Sequence, residues 1–147
     1  MRILRDILIE QLSDTILLYH GTSSNHMDKI RSNTIIDLFL TTSKDAATYY
    51  AAKAGEDYFL TKEIEFEQKQ GINPYEYYEE EIDKYGETVL FKLFYPKNAY
   101  PIVITFKTPK YIVKNIETYI GYKGKNMEIS TKYITNIEKI NWDDLNY

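Results

Sequence analysis

Two short apolar runs set the terms on which this chain can fold. TILLY (15–19) and IIDLFL (35–40) each pass directly into small polar residues and then into a helix start. TILLY is fully apolar and reads as a short buried strand, with His20-Gly21-Thr22 just past its end. IIDLFL alternates Ile36, Leu38 and Leu40 against Asp37 and Phe39, the period of a strand with one buried face. Behind the first run, Ser23 or Ser24 is placed to cap a helix that turns Met27 and Ile30 inward. Behind the second, Ser43 caps KDAATYYAAKA, and Gly55 is expected to end it. The inward stripe of that helix is Ala46, Ala47, Tyr50, Ala51 and Ala54, small enough to let a helix lie close against a sheet.

Around this pair the rest of the chain is read by its periods. Ile3, Leu4, Ile7, Leu8 and Leu12 share one helical stripe and predict an opening helix over residues 2–12. KEIEFEQ alternates Glu63, Glu65 and Glu67 with Ile64 and Phe66, as an exposed edge strand would. NPYEYYEEEIDKYGE places Tyr78, Ile82 and Tyr85 on one helical face, and TVLFKLFY (88–95) is helix or strand by periodicity alone. PIVITFKT alternates as a strand, GYKGKN is a turn-rich loop, and MEISTKYITNIEKINW is strand-like again. No repeat, linker or composition break divides the chain, so residues 1–147 read as one α+β domain.

Composition removes several classes of function. A net charge of −4 gives no global attraction to nucleic acid or anionic membranes. The chain has no cysteine, which excludes disulfides and thiolate metal sites and fits a cytoplasmic protein. Arg5, Asp6 and Glu10 interrupt the first dozen residues, so no signal peptide is expected, and no apolar run reaches a membrane span. No His/Asp/Glu spacing suggests a metal site. The bias toward Ile, Lys, Asn and Tyr matches AT-rich coding, as in a low-GC bacterium or its phage. With 15 tyrosines, any single one is poor evidence of function.

The stretches LYHGTSSNHMDKI and LFLTTSKDAATYYA together resemble the NAD-binding half of the ADP-ribosyltransferase superfamily, in its His–Tyr–Glu class. That class includes diphtheria-type toxins and poly(ADP-ribose) polymerases. The likeness runs over about residues 17–52 and resumes near 126–140. It implies an ADP-ribosyltransferase-like split-sheet fold, NAD as substrate with no metal, and transfer of ADP-ribose to a macromolecular acceptor with release of nicotinamide. A small bacterial or phage effector or toxin acting in the cytoplasm fits.

By the same resemblance His20 would bond the adenosine-side ribose, Gly21 would hold the nicotinamide amide by its own N–H and C=O, and Thr22 would brace the turn. His26 lies off the motif and is read as exposed or capping. The first aromatic of the pattern falls on Phe39, where the class has Tyr; its face can still stack on nicotinamide. The second falls on Tyr49, with Tyr50 its rival but assigned to the core stripe.

The catalytic glutamate would be Glu128, since Met127 and Ile129 take the core side of their strand. Glu63, Glu65 and Glu67 compete. The carboxylate would stabilise the ribosyl cation-like transition state. Tyr122, Lys123, Gly124, Lys125 and Asn126 would form the acceptor loop. Arginine-modifying members carry Glu or Gln where Asn126 stands, so arginine is not favoured. A protein acceptor is expected over nucleic acid, and no membrane partner. NAD glycohydrolysis and a catalytically inactive NAD-binding or protein-interaction module are the alternatives. RNA 2′-phosphotransfer ranks last, because Arg2, Arg5 and Arg31 are the only arginines.

Overall fold

The computed structural model describes residues 14–113 and 124–147. The helix expected over residues 2–12 and the loop residues Tyr122 and Lys123 lie outside them. Among the described residues five strands form two small antiparallel sheets. β1 (Thr15–Ser23), β3 (Pro101–Pro109) and β5 (Ile134–Lys139) make one, in the order β1-β3-β5. β2 (Ile35–Leu40) and β4 (Lys125–Ser130) make the other. The helices are α1 (Met27–Arg31), α2 (Lys44–Ala52), α3 (Glu56–Gln70), α4 (Pro74–Tyr77), α5 (Glu79–Tyr85), α6 (Thr88–Phe94) and α7 (Lys110–Val113). None is long and apolar enough to cross a membrane among the described residues.

β1 runs past TILLY because β3 pairs with it residue by residue, from Thr15↔Pro109 to Ser23↔Pro101. His20, Gly21 and Thr22 therefore stand within a strand rather than after one. Alternation then gives β1 two different neighbours. Leu18 faces the main core, packed with Leu38, Leu40, Ile104, Phe106 and Ile129 between the two sheets. Tyr19 turns the other way, toward Ala47, Ala51 and Val103 under α2. Each large apolar side chain so buried contributes about 1.5–3 kcal/mol.

Among the described residues one backbone bridge joins the two sheets. Tyr19 N–H donates to the Thr41 carbonyl at 2.8 Å, and Thr41 N–H returns to the Tyr19 carbonyl at 3.0 Å. Beyond it β1 and β2 part. MEISTKYITNIEKINW is divided between the sheets: β4 joins β2, and β5 joins β3 at the far edge.

Two further expectations are corrected, and one left open is decided. KEIEFEQ is helical, inside α3. Phe59 is buried and Lys62, Glu63 and Phe66 are half-buried, an i, i+3, i+4, i+7 stripe that overrides the local alternation. Gly55 does not end α2. That helix stops at Ala52, Lys53 is its C-cap, and Gly55 (φ 97°) is the N-cap of α3. TVLFKLFY resolves as helix, with Leu90 and Phe91 buried against Phe59 and Ala52.

Candidate functional site

A cavity of about 540 Å³ opens where β1 and β2 part. Tyr19, His20, Gly21 and Thr22 of β1 line one side, and Phe39, Thr41 and Asn126 another. Tyr50 of α2 and the corner Ala54–Tyr58 leading into α3 close it, with His26 at the rim. The volume falls in the range of small-molecule sites.

Successive residues of an antiparallel strand direct their N–H and C=O to opposite edges. Tyr19 spends its pair on Thr41, so Gly21, two residues on, turns its own pair to the same edge. A continued ladder would bring Phe39 opposite Gly21. Instead the Phe39 carbonyl is bonded by His20 Nδ1 at 2.8 Å. Among the described residues nothing bonds Gly21 on that edge, which leaves an amide donor and acceptor side by side on the cavity wall.

Gly21 is required for a second reason. A Cβ there would fall 1.7 Å from the Ala47 carbonyl oxygen and 2.8 Å from Ala51 N. The absent side chain makes room for α2, on the face of the strand rather than along its edge.

A carbonyl only accepts, so His20 Nδ1 carries the proton and Nε2 is left as an acceptor. Burial pushes the His20 imidazole below its ordinary range; the Phe39 carbonyl opposes this, and the nearby His26 adds to it. His20 is thus a neutral, oriented acceptor at neutral pH.

Phe39 and Tyr50 meet edge to face, with centroids 5.3 Å apart and planes at 90°. They are too close for a flat ring to lie between them, so a planar ligand would stack on one. Gly124 (φ +77°) backs Phe39: a Cβ there would fall 2.6 Å from Cε1 and 2.7 Å from Cζ of that ring.

Several site expectations change. Tyr50, not Tyr49, lines the cavity. Tyr49 points into the helical cluster, edge on to Phe91 at 5.6 Å and Tyr147 at 5.0 Å, with the Lys53 ammonium 4.6 Å from its centroid. His26 is exposed and stands at the N-cap of α1, as expected, and in addition its Nδ1 lies 2.7 Å from Thr22 Oγ1 and both line the cavity. The i, i+4 spacing of Thr22 and His26 was the available signal.

Glu128 stands on β4 opposite Asp37, exposed, and outside the lining. Asn126, paired with Phe39, takes the position nearer the cavity on the same strand face. Its neighbour Lys125, expected in the loop, is also part of β4. The competitors Glu63, Glu65 and Glu67 are on α3, away from any strand.

The carboxylates that do line the cavity, Glu56 and Asp57, were not anticipated; they begin α3. Glu56 is held by Lys53 at 3.2 Å. Burial works against the Lys53 ammonium, but the Tyr49 hydroxyl and Glu56 outweigh it and leave its pKa raised. No group of three or more His, Cys, Asp or Glu suited to a metal ion occurs among the described residues. Compared with models of protein families, with curated proteins and with solved structures, the chain matches none.

Proposed function

We propose that the cavity binds NAD and that the protein transfers ADP-ribose from it to a macromolecular acceptor, releasing nicotinamide. The observation that carries this reading is the open amide edge of Gly21 beside the His20 Nε2 acceptor. A carboxamide offers the matching acceptor and donors, and a ribose hydroxyl can donate to Nε2. The nicotinamide ring would stack on Phe39 or Tyr50.

In the reaction the bond from ribose C1′ to the nicotinamide nitrogen breaks, and its electron pair leaves with neutral nicotinamide. The acceptor nucleophile bonds C1′ and gives up its proton. Glu128 is the carboxylate proposed to stabilise the cationic sugar. Its side-by-side arrangement with Asp37 repels a phosphate backbone, which favours a protein acceptor over nucleic acid. A cytoplasmic effector or toxin of a bacterium or phage fits this chemistry.

The position of Glu128 outside the lining favours a second reading. In it the same cavity binds NAD with slow hydrolysis or with no turnover.

The test is incubation with adenylate-labelled NAD and a cell lysate, measuring released nicotinamide and labelled protein. Transfer is expected, and Glu128→Gln should abolish it while changing NAD affinity less than about tenfold, or about 1.4 kcal/mol. Nicotinamide release without labelled protein selects glycohydrolysis, and binding without release selects the inactive module. Absence of NAD binding removes the proposal.

A further inference from the structure

The charge around the cavity singles out His26. None of the described lining residues is Lys or Arg, and two, Glu56 and Asp57, are acidic. A ligand with a pyrophosphate would find no permanent cation there. Lys53 is near in sequence, but its ammonium is buried over Tyr49 and committed to Glu56. His20 is held neutral by desolvation, which outweighs the opposing pull of the Phe39 carbonyl on its Nδ1–H.

His26 differs from both. Its ring is exposed, yet anchored at Nδ1 by Thr22, whose side chain sits in a residue only 4% exposed. A threonine hydroxyl both donates and accepts, so this bond survives whether the imidazole is neutral or protonated. Nε2 is then the ring's remaining polar group in either state.

We propose that His26, anchored by Thr22, is the phosphate contact of this cavity, so that pyrophosphate-bearing ligands bind more tightly as pH falls through the histidine range. The inference rests on the nucleotide reading of the cavity. The other titratable or charged groups around it are Tyr19 and His20 on β1, Tyr50 on α2, and Glu56, Asp57 and Tyr58 at the start of α3. Asp28 and Lys29 follow His26 on α1. Carboxylates, tyrosines and lysines ordinarily keep one charge between about pH 5.5 and 8, and only histidine changes there.

The experiment is calorimetric titration of the full chain and of His26→Gln with ADP-ribose, NAD and adenosine, from about pH 8 to about pH 5.5. ADP-ribose serves because its pyrophosphate does not titrate in that span. Its affinity for the unsubstituted protein should rise about tenfold as pH falls, a change of about 1.4 kcal/mol. The His26→Gln profile should be flat, and adenosine should show no pH dependence with either protein. An unchanged ADP-ribose profile in His26→Gln, or an equal slope for adenosine, overturns the His26 assignment while leaving the NAD site intact. Failure of both NAD and ADP-ribose to bind at any pH overturns the nucleotide reading and this inference with it.

Discussion

Gly21 answers to two neighbours at once, and that decides what its substitution would report. Its missing Cβ faces Ala47 and Ala51, while its amide edge faces the cavity. A methyl group 1.7 Å from a backbone oxygen forces the helix away from the strand. Gly21→Ala should therefore lower the unfolding free energy by about 3 kcal/mol, at the upper end of overpacking costs, as read from the denaturant midpoint. A variant as stable as the parent would show that α2 yields easily. His20 is the other residue with a stability signature. Its folded pKa is lowered by burial, so the unfolded chain takes the proton first, and stability is lost as pH falls below 6.5. Denaturant unfolding of His20→Gln should show a shallower loss between about pH 7 and pH 5 than the parent. Equal slopes would mean that His20 is readily protonated where it stands.

At the scale of elements, Lys53 joins α2 to α3. Its ammonium lies over Tyr49, Phe59 and Phe91 and against Glu56, beside the Ala54–Tyr58 corner that lines the cavity. Lys53→Ala should cost about 2–4 kcal/mol through lost packing, since the stem fills space in the cluster. Lys53→Met keeps that volume and leaves Glu56 hydrated, so it should stay within about 1 kcal/mol of the parent. Equal losses in the two variants would show that the charge, not the stem, holds the corner. Elements whose own residues determine them were legible in the sequence. IIDLFL is β2 at the bounds its alternation predicts, and Ser43 accepts from Ala46 N as a cap should. KEIEFEQ misled because five alternating residues mimic a strand, while the stripe that makes it a helix begins back at Phe59. Tyr49 and Tyr50 were exchanged for a related reason. The small-residue stripe of α2 does face inward, but at Tyr50 that face has passed the sheet and borders the cavity.

For the molecule as a whole, the residues that line the cavity come from β1, the turn between β1 and α1, β2 and its end, β4, α2 and the corner into α3, so no local pattern could mark them all. His20, Gly21, Thr22 and Phe39 were legible because a strand carries them on a recognisable run. His26, Glu56 and Asp57 join them only through tertiary packing, and Glu128 shares the strand face without reaching the lining. All of this hangs on how the two sheets are joined. The Tyr19–Thr41 bridge is a seam of two backbone hydrogen bonds between residues that line the cavity, flanked by the His20–Phe39 contact. A seam so narrow opens far more often than the ladder of nine paired positions between β1 and β3. Deuterium should therefore enter at the Tyr19 and Thr41 amides long before it enters at Leu18 or Ile104. A ligand spanning the gap would clamp the seam, and those two amides would then exchange as slowly as the sheet beside them.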